Sequence, residues 1–220
     1  MNPLLVFDLD GTLIDSAPDI ITAVNRTLAN HSKPTLSDAT IISHIGEGIK
    51  KLIADLFKGD NLEPGDIIGL EMEFLRTYEE EMLNKTRIYP GVENFLAQYQ
   101  GPIAIITNKN EEPAKVIIDH LGLNRFPWVN VFGADTLEER KPSPLPLRTM
   151  MKLAGRLPGN TLMIGDGTPD MLSAQRAGVG SIAIGFGYTA THILEKYEPL
   201  AVLDHYQDLS ALLEKITQKA

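Results

Sequence analysis

Leu4-Leu5-Val6-Phe7-Asp8-Leu9-Asp10-Gly11-Thr12-Leu13 is the stretch that decides the fold. A wholly apolar run ends abruptly in two carboxylates one residue apart, and a glycine follows. An apolar run of this length reads as a strand, Leu4–Leu9, buried on both faces as in parallel sheets. A carboxylate is costly to bury unless a cation or hydrogen bonds compensate it. Two at one strand end therefore ask for a cation. In open parallel sheets, ligands bind at that same end of the strands. The opening residues thus predict a metal-assisted site.

Outward from this strand, further strands are expected at Ile103–Thr107, Val129–Phe132, Thr161–Ile164 and Ser181–Ile184, with apolar helical patterns between them from residue 92 onward. Strand–helix alternation predicts an α/β fold, a doubly wound parallel sheet of Rossmann-like type. Helix starts are marked by Asn110 with Pro113, by Ser143-Pro144 and by Thr168-Pro169, each a capping side chain near a first-turn proline. Residues 15–85 break the alternation. Ile20, Ile21, Val24 and Leu28 recur at helical spacing, as do Ile49, Leu52, Ile53, Leu56 and Phe57, and then Ile67, Leu70, Phe74, Leu75, Tyr78 and Met82. Three or four helices without a strand predict a separate α-helical cap domain at 15–85, inserted into a catalytic core of residues 1–14 and 86–220. Pro90-Gly91 marks the re-entry. An insert at this point is expected to cover the carboxylate end of the sheet and to control water there.

Composition narrows the partners. The 220 residues are 43% hydrophobic and 22% charged, with a formal net charge of −9. The acidic balance argues against nucleic acid or an anionic membrane as partner, and leaves room for a small anionic substrate held by a local cation. Cysteine is absent, so no disulfide, thiolate metal site or cysteine nucleophile is available, which fits a cytoplasmic setting. Met1-Asn2-Pro3 has no basic region and its apolar run is cut by Asp8, unlike a signal peptide. No stretch approaches the about 18 apolar residues of a membrane-spanning helix.

Four elements fall at the ends of the expected strands: Asp8-x-Asp10; Thr107-Asn108; Lys141 within Arg140-Lys141-Pro142-Ser143-Pro144; and Gly165-Asp166-Gly167-Thr168-Pro169-Asp170. Singly, these read as a solvated turn, a helix cap, a surface lysine and a tight turn. Their order and shared position at strand ends make the set far more specific. On these residues the chain resembles the haloacid dehalogenase superfamily, in which phosphatases work through an aspartyl-phosphate. Its four motifs match at Asp8-Leu9-Asp10-Gly11-Thr12, Thr107, Lys141 and Asp166 to Asp170, and the cap matches in position. The resemblance implies Mg²⁺ as cofactor, with the Asp8 carboxylate, the Asp10 main-chain carbonyl and Asp166 as ligands, and Asp170 as a ligand or close beside them. It also implies that the Thr107 hydroxyl, the Asn108 N–H and the Lys141 ammonium hold phosphoryl oxygens, while Gly11 permits close backbone approach. Within this scheme Asp8 is the nucleophile and Asp10 the general acid and base. The implied substrate is a small-molecule phosphoester and the implied assembly a monomer or homodimer.

Two residues depart from the superfamily pattern. Gly167 stands where a Ser or Thr usually follows the first Asp of the fourth motif, which removes a hydroxyl near the metal. Ser143 stands where relatives often have His. Asp10 separates the chain from dehalogenases and phosphonate hydrolases, which lack that aspartate. Thr12 favours hydrolysis over the sugar-phosphate mutase branch, which remains the alternative, as does a nucleotide or pyrophosphate substrate. Asp15-Ser16-Ala17-Pro18-Asp19-Ile20, Ile45-Gly46-Glu47-Gly48, Thr107-Asn108-Lys109 and Gly185-Phe186-Gly187-Tyr188 resemble the phosphoglycolate phosphatase branch. The Gly46–Gly48 turn reads equally as an anion-binding helix start, helped by Lys50 or Lys51, and as a plain interhelical turn. Lys109 reads as solvated. The five histidines show no ligand spacing, and Phe126 and Trp128 read as core.

Overall fold

A computed structural model describes residues 2–46, 48–57 and 63–219. The chain begins with β1 (Leu4–Phe7) and the short β2 (Ile14–Asp15). It continues into four helices, α1 (Ala17–Asn30), α2 (Asp38–Ile42), α3 (Ile49–Leu56) and α4 (Pro64–Glu81), and returns through β3 (Arg87–Ile88). Thereafter helices and strands alternate as α5 (Val92–Gln98), β4 (Ile103–Ile106), α6 (Glu111–His120), β5 (Trp128–Phe132), α7 (Leu145–Ala154) and β6 (Thr161–Gly165). The chain ends with α8 (Thr168–Ala177), β7 (Gly180–Ile184), α9 (Thr191–Leu194), β8 (Ala201–Leu203) and α10 (Leu209–Lys219). Two compact units result: Met1–Asp15 with Ile88–Ala220, and Ser16–Arg87.

The first unit is built on one six-stranded sheet of order β5-β4-β1-β6-β7-β8. Every pair in it is parallel, so the expected α/β fold is the one observed. Phe7 stands opposite Ile105 of β4 on one side and Ile164 of β6 on the other. From β1 the chain winds outward through β4 to β5, then crosses back over β1 and winds outward through β6 to β8. The reversal at β1 opens a crevice at the carboxyl ends of β1, β4 and β6, where doubly wound sheets bind ligands.

The alternation of side chains along a strand explains why β1 is apolar throughout. Leu4 and Val6 enter a core with Leu147, Met150 and Met151 of α7 and Ala174 and Ala177 of α8. Phe7 points to the opposite face, edge-on to Phe95 of α5 at 6.3 Å and to Trp128 at 6.4 Å. The strand is shorter than the expected Leu4–Leu9 and stops at Phe7. The carbonyl of Leu9 there accepts from the N–H groups of Thr12, Leu13 and Ile14, which winds the chain into a tight loop. The edge strand β8 was not legible in the sequence: its three residues are too few to display a period.

Among the described residues, the regular elements of the second unit are helices α1 to α4, with β3 beginning at its last residue. Ile20, Ala23, Val24 and Leu28 of α1 are buried, as are Leu70, Phe74 and Tyr78 of α4, and these two helices pack together. Phe74 and Tyr78 stack at 5.9 Å. Inside this unit Asp19 is fully buried. Its carboxylate accepts from the N–H of Lys85 at 2.9 Å, the N–H of Thr86 at 2.8 Å and the hydroxyl of Thr86 at 2.8 Å. Asp19 thus closes the unit by binding its last segment to its first helix. Replacing it leaves buried donors without an acceptor, so Asp19→Ala should cost about 3 kcal/mol and lower Tm by roughly 8 °C in a thermal melt. A Tm equal to that of the unmodified protein would show that these bonds do not hold the unit closed.

Candidate active site

The loops after β1, β4, β5 and β6 bring all eight residues singled out in the sequence to one edge of the sheet. Asp8 follows β1 directly, and its N–H donates to the carbonyl of Ile164 at 2.9 Å. Thr107 and Asn108 follow β4, and the Thr107 N–H donates to the carbonyl of Phe132. Asp166 follows β6, and Asp170 lies in the first turn of α8. Lys141 comes from the connection after β5, its carbonyl held by the Asn108 side-chain amide at 3.1 Å.

Asp8, Thr107, Asn108, Lys141, Asp166 and Asp170 are all buried. The Lys141 ammonium lies 2.8 Å from Asp8 Oδ1 and 2.6 Å from Asp170 Oδ1. Carboxylate oxygens of Asp8, Asp166 and Asp170 all lie within 4.8 Å of one another. Three buried carboxylates thus face one buried ammonium. Burial first, then the charge of Asp170, push Asp8 up to about 7 despite Lys141. Burial, then Asp8 and Asp170, raise Asp166 well above the carboxylate range. The Lys141 ammonium is raised by Asp170 and Asp8 against the opposing effect of burial, and stays charged. An oxygen-only donor set with surplus negative charge fits a hard divalent cation such as Mg²⁺.

The oxygens of these carboxylates have distinct partners. Asp166 Oδ1 accepts from the Thr12 hydroxyl at 3.0 Å and Oδ2 from the Tyr188 N–H at 2.7 Å. Asp170 Oδ1 takes Lys141, and Oδ2 accepts from the Gly167 N–H at 2.9 Å. That last bond caps α8. The cap therefore belongs to Gly167 and Asp170, whereas the sequence pattern pointed to Thr168, which is the first residue of the helix. Gly11, at φ +78°, lies where any Cβ would collide with the Asp166 carboxyl. Its close approach is therefore made to a neighbouring carboxylate within the protein.

Asp10 stands apart from the acidic trio. Its Oδ2 lies 3.3 Å from Lys109 Nζ, with the two side chains only 12% and 8% exposed. Lys109 is therefore not the solvated residue that the sequence suggested. Its N–H donates to the Thr107 hydroxyl oxygen at 3.1 Å and its carbonyl accepts from Ala134, so the backbone is pinned at both ends of the residue. Tyr188 was quoted in the sequence only as part of a resembling segment. It contributes a main-chain donor, which no residue type advertises. Ser143 accepts from the Leu145 N–H, a helix-start role. In the helical unit, Gly46 and Gly48 both have positive φ, and Gly48 opens α3. Glu47 and the Lys50 side chain lie outside the described residues, while Lys51 pairs with Asp55.

A buried acidic trio with one lysine sits at the winding reversal of a parallel sheet, the place where α/β folds of this kind bind ligands. Residues 5–184 match the haloacid dehalogenase-like hydrolase family. The chain belongs to that family. It is 36% identical over 225 residues to a phosphoglycolate phosphatase from Mesorhizobium japonicum, covering 100% of this chain and 98% of that one. It is 37% identical over 190 residues to a phosphoglycolate phosphatase from Chromobacterium violaceum, covering 84% and 85% respectively. Among solved structures, a predicted phosphoglycolate phosphatase from Haemophilus somnus superposes with a TM-score of 0.87 at 26% identity, covering 96% of this chain and 97% of that one. A haloacid dehalogenase-like family hydrolase from Streptococcus pneumoniae shares the fold, with a TM-score of 0.83 at 23% identity, 96% of this chain and 97% of that one being covered. Within the family, the chain is an enzyme of the phosphatase kind.

The raised Asp8 value gives the metal-free protein a pH dependence of known sign. The folded state binds the Asp8 proton more tightly than the unfolded chain, whose value lies near 3.8. That contribution to stability is full below pH 3.8 and disappears as the pH rises through about 7. The Tm of the chelated protein should therefore fall between about pH 6 and about pH 8, and saturating Mg²⁺ should reverse the fall. A Tm of the chelated protein that is flat across that interval, or a fall that saturating Mg²⁺ leaves in place, would contradict this account of the trio.

Proposed function

We propose that the protein is a Mg²⁺-dependent phosphomonoester hydrolase that works through a covalent phosphate on Asp8, and that its substrate is 2-phosphoglycolate. One observation carries the mechanism: two carboxylates one residue apart occupy different surroundings. Asp8 is pressed against Asp170 and Lys141, while Asp10 is paired with Lys109. Neighbouring carboxyls in unlike settings can take unlike roles. The named relatives support the substrate.

In this reading an Asp8 carboxylate oxygen attacks phosphorus, and the bond from phosphorus to the ester oxygen breaks. Asp10 gives its proton to that departing oxygen. Asp10 then takes a proton from a water molecule as its oxygen attacks the phosphorus of the aspartyl-phosphate. The bond from phosphorus to the Asp8 oxygen breaks, releasing inorganic phosphate and restoring Asp8. The Thr107 hydroxyl, the Asn108 N–H and the Lys141 ammonium hold the phosphoryl oxygens during both displacements. Mg²⁺ would be held by the Asp8 and Asp166 carboxylates and the Asp10 carbonyl, where it supplies positive charge against the phosphoryl oxygens. Asp170 borders the ion and orients Lys141. Residues 15–85 serve as the cap in this reading. In this reading the enzyme works in the cytoplasm, a setting that the lack of cysteine fits.

The test is phosphate release from a panel of 2-phosphoglycolate, sugar phosphates, nucleotides and pyrophosphate, with Mg²⁺ and with chelator. We expect release to favour 2-phosphoglycolate, to need Mg²⁺, and to fall at least roughly 10³-fold in Asp8→Asn, which removes the nucleophile. Broad, weak release lost in Asp8→Asn would keep the mechanism and reject the substrate. Interconversion of sugar phosphates without net release would replace hydrolase by mutase.

A further inference from the structure

The loop after β7, Gly185-Phe186-Gly187-Tyr188, has no role in the chemistry above, yet it touches the acidic trio. We propose that Tyr188 is a positioning residue for the metal site, fixing Asp166 through its main chain and anchoring itself through its phenol to Asp15. The proposal rests on the reading of Asp166 as a Mg²⁺ ligand.

Asp166 has one donor on each carboxylate oxygen, Thr12 Oγ1 at 3.0 Å and Tyr188 N at 2.7 Å. Each donor is itself held by a tyrosine phenol. The Tyr206 hydroxyl donates to the Thr12 carbonyl at 3.0 Å, and the Tyr188 hydroxyl donates to Asp15 Oδ1 at 3.0 Å. The second arrangement depends on Gly187. A Cβ at that position would run into the Cβ and carboxyl of Asp166. Gly187 does not have positive φ, so the requirement for glycine there is one of space. Asp166 is thereby gripped between two glycines, Gly11 and Gly187, and two donors.

A carboxylate fixed in this way meets a cation with its orientation already set. Groups that orient metal ligands through such hydrogen bonds typically change metal affinity by roughly 10- to 100-fold when removed. Gly167 has no side chain to offer Asp166, and Tyr188, twenty-one residues further along, supplies a donor from the main chain.

The measurement is direct Mg²⁺ binding by isothermal titration calorimetry on the full chain, alongside Tm in chelator. Four variants are compared with the unmodified protein: Gly187→Ala, Tyr188→Phe, Asp166→Asn, and Gly159→Ala as a control at a glycine with open space around it. Gly187→Ala should weaken Mg²⁺ binding by roughly 10- to 100-fold. Tyr188→Phe keeps the N–H and loses the anchor, and should weaken binding by about threefold or more with Tm little changed. Gly159→Ala should bind as the unmodified protein does. Tyr188→Phe binding within twofold of the unmodified protein overturns the proposal, whether or not Gly187→Ala folds. Absence of saturable Mg²⁺ binding in the unmodified protein, or unchanged binding in Asp166→Asn, would instead overturn the reading of Asp166 as a ligand.

Discussion

The contact on which the site depends is the Lys141 ammonium between Asp8 and Asp170. It lies 2.8 and 2.6 Å from their oxygens, in a place closed to solvent. Removing an ammonium and two carboxylates from water carries a desolvation penalty of several kcal/mol per ion. Their mutual attraction offsets that penalty only while all the partners are present. With Asp166 added, the cluster still has more negative charge than Lys141 neutralises. The surplus suits the cluster to a hard divalent cation. An apolar replacement for the cluster would fold more easily and could perform no such chemistry. Burial first, and the repulsion among the carboxylates after it, raises Asp8 and Asp166.

The sheet makes such a cluster tolerable. β1 lies between β4 and β6, and its residues are buried on both faces. The three strand ends are therefore held in register by ladders and by a dry core of Val6, Ile106, Met150 and Met163. Repulsion among carboxylates at those ends cannot be relieved by splaying the strands, because that would break the ladders and expose the core. Main-chain groups released at the strand ends are put to use. The Asp8 N–H continues the ladder to Ile164, and the Gly167 N–H binds Asp170, so the start of α8 and the lysine counter-ion are set by one side chain.

Much of this was legible in the sequence for a physical reason. Buried parallel strands need continuous apolar runs, and those runs stop where polar side chains must gather, so Phe7–Asp8 and Ile164–Asp166 announced both the sheet and its working edge. Helices α1, α3 and α4 were legible because each carries apolar residues at helical spacing, as in Ile20, Val24 and Leu28; five-residue α2 was too short to show such a pattern. Three further features escaped. Edge strand β8 is three residues long and carries no period. Lys109 looks like any surface lysine until the turn after β4 directs it onto Asp10. Tyr188 acts on Asp166 through an N–H, which all residues except proline possess, so no residue type could mark it.

The glycine in the fourth motif shows how far a motif can change while its geometry is kept. At φ −107° Gly167 adopts a conformation open to any residue, so glycine is not demanded there by the backbone. A Cβ on it would approach Asp170 Oδ2 to 3.1 Å, a contact that small adjustments could accommodate. What position 167 must supply is its N–H to Asp170, and glycine supplies that as well as serine would. The duty of orienting Asp166 has two other sources, Thr12 and Tyr188. One is a side chain beside the nucleophile loop, and the other is a main-chain group from the loop after β7. The orientation of Asp166 is therefore a property of the fold around it, distributed over positions 11, 12, 187 and 188, and the fourth motif alone records none of those positions.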